Sequence, residues 1–272
     1  MILPGQSPVP LPAGRTRTAA TGLRSALLHD AARASLAVLV VLLLMAMVAA
    51  RAAGFGADFI LKALLLFTTG AVWMWRGLRG GAHPHAHFGA ANRVTLLRLA
   101  FASLLAALLG EAVPTPPLQP TPLAWAVVAL AALTALLDAV DGALARRSGL
   151  ASRFGARFDM ETDAAYTLVL CALVWQAGQA GPWVLAAGLM RYAFVAAALL
   201  FPWLAGPLSH SRRRQAICAV QITTLIVCLV PVVPSSLATM LAAASLLLLS
   251  VSFGVDVRAL SRARRADAES AA

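Results

Sequence analysis

The stretch Leu137–Asp163, LDAVDGALARRSGLASRFGARFDMETD, gathers most of the acidic residues that fall among the apolar segments of this chain. Asp138 and Asp141 are spaced i,i+3, and Asp159 and Asp163 are spaced i,i+4. On a helix each spacing sets two carboxylates on one face. The segment between the pairs is short, which predicts two antiparallel helices whose acidic faces converge near one end of the hairpin.

Outward from this hairpin the chain is strongly apolar. It is 60% hydrophobic and only 12% charged, about half the charged fraction of a soluble domain. Six apolar segments run roughly over 93–113, 122–146, 156–178, 182–205, 214–232 and 235–258, and two more precede them at roughly 34–50 and 57–76. Each approaches the ~20 residues that cross a bilayer core. Backbone groups in lipid must be satisfied within the segment, so helices are expected rather than barrel strands. The fold class is therefore all-α, a polytopic membrane protein. The division expected is a flexible basic tail over 1–33, a two-helix transmembrane hairpin over 34–77, a linker over 78–91 containing HPHAH, a six-helix unit over 92–258 and a polar tail over 259–272.

The formal net charge of +11 comes almost entirely from arginine. Its distribution argues against nucleic-acid binding, because the arginines cluster between apolar segments. Basic loops (Arg76 and Arg79; Arg146, Arg147, Arg153 and Arg157; Arg212–Arg214; both tails) alternate with nearly uncharged ones. By the positive-inside rule the basic loops and both termini are cytoplasmic, which gives an even number of crossings, about eight. The expected location is a bacterial inner membrane, with the acidic hairpin at the cytoplasmic face. The cysteines Cys171, Cys218 and Cys228 have no ligand spacing and are read as free, packed thiols.

Four carboxylates sharing one space raise each other's pKa, and each charge is costly at membrane depth. Divalent cations relieve both penalties, and an all-carboxylate donor set suits hard ions such as Mg²⁺ or Mn²⁺. Two such ions form a known clamp for phosphoryl transfer. Arg146 is placed to fork onto a phosphate, while Gly142 and Ala145 leave room for a ligand against the helix. Gly155 serves close packing or the turn.

These residues fill every fixed position of D-x2-D-G-x2-A-R-x8-G-x3-D-x3-D: Asp138, Asp141, Gly142, Ala145, Arg146, Gly155, Asp159 and Asp163. The pattern resembles the signature of the CDP-alcohol phosphatidyltransferase family. The resemblance implies a six-helix catalytic core over about 90–260, two divalent metals on the four Asp residues, and Asp163 as general base on an acceptor hydroxyl. It places the CDP diphosphate against the metals and Arg146, with Gly142, Ala145 and Gly155 on the nucleotide side. Asn92-Arg-Val-Thr95-Leu-Leu-Arg98 is similar to the family's N-x2-T-x2-R helix start, which implies that Asn92 and Thr95 contact the nucleotide. A homodimer is implied by resemblance alone.

The implied reaction passes a phosphatidyl or other phospho-alcohol group from a CDP-alcohol, most simply CDP-diacylglycerol, to a small polar alcohol, releasing CMP. Arg191, inside an apolar segment, is a candidate contact for a phosphorylated acceptor or a lipid headgroup, with a structural salt bridge as the equal alternative. Arg212, Arg213 and Arg214 are either topology anchors or headgroup contacts. The stretch Arg214–Gln221 keeps Gln221 but lacks the Lys-Thr often found in members that use glycerol 3-phosphate. Rival readings are a diphosphate-dependent membrane prenyltransferase, whose Asp motifs lie far apart in the chain, and a cation transporter, which has no need of Arg146 or the small residues.

Overall fold

The computed structural model describes residues 13–80, 83, 85–111, 120–148, 152–206 and 211–270. Among these, eight α-helices follow one another: α1 Ala13–Ala53, α2 Ala57–Arg79, α3 Ala90–Ala107, α4 Pro122–Ser148, α5 Arg153–Gln176, α6 Leu185–Leu200, α7 Arg212–Cys228 and α8 Ser235–Ser270. Short 3₁₀ turns, Pro182–Val184 and Pro202–Ala205, flank α6, and no strand occurs among the described residues. The breaks have local causes. Gly54 takes φ 73°, a left-handed conformation that closes the α1–α2 turn. Pro202 lacks the N–H that would continue α6. Ser152 caps α5, its hydroxyl accepting the Gly155 N–H at 3.0 Å.

The middle of the bundle is α3. It packs against α1, α2, α4 and α5, and every residue from Arg98 to Ala107 is buried. The outer helices do the opposite and turn large apolar side chains outward, among them Leu136, Leu199, Leu200 and Met240. An apolar exterior of this extent is a liability in water and is what lipid requires. Six helical segments are long and apolar enough to cross a bilayer: within α1, α2, α3, α4, Pro182–Leu200 and α8. The other two helices fall short for visible reasons. The first half of α5 carries Arg153, Arg157, Asp159, Glu161 and Asp163, and α7 has 17 residues and opens on three arginines. The chain is an all-helical integral membrane protein.

Ion pairs and caps mark the two ends of the bundle. At one end Arg24 of α1 donates to the Arg79 carbonyl at the close of α2, and Arg213 at the start of α7 lies 2.5 Å from Asp256 of α8. At the other end Lys62 pairs with Glu111, and Gln176 donates to the Leu108 carbonyl at 3.0 Å.

The helices are longer than hydropathy alone implies. Residues 13–33, read as tail, are the first turns of α1; the stretch contains no proline, and Leu27 and Ala31 are buried. The part of the expected tail up to Ser270 likewise continues α8, with Leu260 buried. Within the 78–91 linker, His83 is buried, its Nε2 lies 3.0 Å from the His87 carbonyl, and its ring packs on Phe154.

Candidate active site between α3, α4 and α5

The last turns of α4 and the first turns of α5 place the four Asp side chains around one group, the guanidinium of Arg98 on α3. Its side chain is 1% exposed. Nη1 lies 2.7 Å from Asp141 Oδ2 and 2.7 Å from Asp159 Oδ1. Nη2 lies 3.0 Å from Asp138 Oδ1 and pairs with Asp163. Thr95, one turn before Arg98, donates to Asp141 Oδ2 at 3.1 Å. An isolated arginine at this depth would be expensive; four carboxylates supply its partners.

One guanidinium does not balance four carboxylates, so the group as a whole stays anionic. Asp138, Asp141 and Asp159 each bring one oxygen into a set lying within 4.8 Å of one another. Such a cluster of hard oxygen donors fits a divalent cation. Asp163 stands outside that trio and joins the group through Arg98.

A cleft of about 220 Å³ opens beside the trio, lined by Asn92, Thr95, Asp141, Gly142, Ala145, Gly155 and Asp159. The residues expected to face a nucleotide therefore share one surface, except that the Arg146 side chain lies outside the described residues. The cleft is narrow at Gly155, where an added Cβ would come within 2.8 Å of Asn92 Oδ1. Asn92 is itself held, donating to the Phe88 carbonyl at 2.5 Å.

A second cavity, also about 220 Å³, lies between α5, α6, α7 and α8. Asp163 and Thr167 line it with Arg191 of α6 and Cys218 and Gln221 of α7. The carboxamide of Gln221 is buried, and neither of its polar atoms has a partner. Arg191 pairs with Glu161, the salt-bridge alternative, and its Nε is buried without a partner. Arg213 and Arg214 converge on Asp256 of α8; none of Arg212–Arg214 lines the cavity.

The residue whose role sequence reasoning missed is Arg98. Its signal was present, an arginine flanked by leucines within an apolar segment and spaced i,i+3 from Thr95, but only the packing of three helices identifies its partners.

The family model described as CDP-alcohol phosphatidyltransferase matches residues 88–254, more than half of the chain. The chain belongs to the CDP-alcohol phosphatidyltransferase family, whose members are divalent-metal-dependent transferases that move a phosphatidyl group from a CDP-alcohol to an alcohol acceptor within a membrane. No curated protein and no solved structure matches it. Helices α1 and α2 lie outside the matched region.

Proposed function

We propose that the protein transfers the phosphatidyl group of CDP-diacylglycerol to a small polar alcohol, releasing CMP, with the site at the cytoplasmic face. The observation that carries this reading is the position of two carboxylates one turn apart on α5. Asp159 lines the cleft with Asn92, Thr95 and Gly142, and Asp163 lines the second cavity with Gln221. A donor bound on one side and an acceptor on the other would meet at these residues.

In this reading the cytidine lies against Gly142, Ala145 and Gly155, where small residues leave the helix backbones open to it. Asn92 and Thr95 orient the nucleotide, and Arg146 holds the diphosphate. Asp138, Asp141, Asp159 and Asp163 would hold two Mg²⁺ or Mn²⁺ ions, which when bound neutralise the diphosphate. Asp163 accepts the proton of the acceptor hydroxyl, whose oxygen forms the new bond to the β-phosphorus as the bond to CMP breaks. Arg98 keeps the carboxylates gathered at the helix junction.

Arg191 is paired one-to-one with Glu161, and none of Arg212–Arg214 lines the cavity beside Asp163; both points support an uncharged acceptor over a phosphorylated one. The unpartnered carboxamide of Gln221 offers such an alcohol a donor and an acceptor. Membership of the family sets aside the prenyltransferase and transporter readings.

The test is CMP release by purified protein given CDP-diacylglycerol, Mg²⁺ and a panel of acceptors, with and without chelator. Wild type should release CMP only with metal and acceptor together. Asp163→Asn should be slower by about 10²-fold or more, the scale of a lost general base. Equal rates for wild type and D163N would remove Asp163 from the chemistry.

A further inference from the structure

The hairpin α1–α2 precedes the family-matched region, yet α1 contacts Phe88, which lines the cleft. Asp30, on α1, uses its two carboxylate oxygens differently. Oδ1 pairs with Arg93 at 2.5 Å. Oδ2 accepts the backbone N–H of Phe88 at 2.9 Å. The Arg93 side chain is 55% exposed, and an ion pair of that kind contributes little. Phe88 is fully buried, so its N–H needs a partner, and a carboxylate makes a strong one.

The Phe88 peptide is also part of the cleft. Phe88 and Gly89 line it. Gly89 turns the chain into α3 with φ 85°, a conformation that other residues resist. The Phe88 carbonyl receives the Asn92 side-chain N–H at 2.5 Å, and Asn92 Oδ1 then sits against Gly155. A continuous chain of contacts thus runs from α1 to the cleft: Asp30, the Phe88 backbone, the Asn92 side chain, Gly155.

We propose that Asp30 is a positioning residue for nucleotide binding, through which the N-terminal hairpin braces the turn that borders the donor site. Asp30 touches no substrate. It holds the Phe88–Gly89 turn in place, and that turn sets the rotamer of Asn92. Without it the turn can swing into the cleft, and Asn92 loses the acceptor that fixes its amide. The proposal rests on the reading of this cleft as the CDP site.

The experiment measures binding of CDP with Mg²⁺ to full-length protein in detergent, together with KM and kcat for CDP-diacylglycerol and the exchange rate of the Phe88 amide. The variants are Asp30→Ala, Asp30→Asn and Arg93→Gln. D30A should weaken CDP binding and raise KM by about tenfold, the scale of one lost charge-assisted hydrogen bond, with kcat changed by less than about threefold and faster amide exchange at Phe88. D30N keeps an oxygen for the Phe88 N–H and should restore CDP affinity to within about threefold of wild type. R93Q removes only the ion pair and should match wild type. Normal CDP affinity in D30A, or a loss in R93Q equal to that in D30A, would overturn the proposal while leaving the proposed function standing. A D30N variant as weak as D30A would overturn the peptide clamp and assign the effect to charge. Wild-type protein that binds no CDP would overturn the nucleotide reading itself, and this proposal with it.

Discussion

Arg98 and Asp141 form an ion pair in which both side chains are almost wholly buried, 1% and 3% exposed, with Nη1 2.7 Å from Oδ2. Removing one member of such a pair leaves the other charged and without a counter-ion, at a cost of about 3–5 kcal/mol. Arg98→Met should therefore lower the thermal midpoint of the detergent-solubilised protein sharply. Added Mg²⁺ should recover part of that loss, because a divalent ion replaces the missing positive charge among the carboxylates. Unfolding curves with and without Mg²⁺ check this; an R98M midpoint equal to wild type would show that the pair does not hold the helix junction together.

Gly155→Ala should act on donor binding. The new methyl would lie 2.8 Å from Asn92 Oδ1 and 3.3 Å from Ser152 Oγ. Asn92 cannot yield without lengthening its bond to the Phe88 carbonyl. A displacement near 1 Å in a positioning group can cost up to about 10²-fold, so an increase of about tenfold or more is expected in KM for the CDP-lipid. Steady-state kinetics at varied donor concentration would reveal it.

Gly188 sets how closely α5 and α6 approach. A Cβ there would meet Leu168 Cα at 2.6 Å, and backbone cannot swing aside as a side chain can. Gly188→Ala should force the two helices apart at a cost of about 1–3 kcal/mol. It should also slow turnover, because α5 carries Asp163 and α6 carries Arg191. Thermal unfolding and kcat, measured on the same preparation, test both halves.

His83 should make stability depend on pH. Burial, reinforced by the neighbouring His85, holds its imidazole below the usual range, against hydrogen bonds to the His87 and Phe88 backbone that pull the other way. As pH falls through about 6.5, the unfolded chain takes up a proton that the folded one resists. The contribution of His83 is therefore present above that pH and is lost on acidification. His83→Phe, which preserves the ring packed on Phe154, should show a smaller fall in thermal midpoint between pH 7 and pH 5 than wild type.

Hydropathy located the apolar helices to within a few residues, because lipid imposes a length and a composition that a sequence displays directly. It misplaced the ends of α1 and α8, since helical continuation beyond the membrane depends on propensity and docking, not on apolar character. Asp30 and Leu27 illustrate this: on paper they belong to a polar tail, and in the structure they anchor α1 against the core. The spacing of Asp138, Asp141, Asp159 and Asp163 showed that carboxylates would share a helix face. It could not show that an arginine from a third helix would stand among them.

By itself, then, the sequence determined the class of this protein. The apolar periods dictate membrane helices, and the Asp, Gly and Ala spacings dictate an acidic, small-residue surface on one hairpin. Those features are local, carried by residues within a turn or two of each other. Tertiary structure alone decided the partners: Arg98 among four aspartates, Arg191 on Glu161, Asp30 on Phe88, and the division of space into a cleft between α3, α4 and α5 and a cavity between α5, α6, α7 and α8. Contacts between residues separated by dozens of positions depend on how whole helices pack, and no spacing along the chain encodes them.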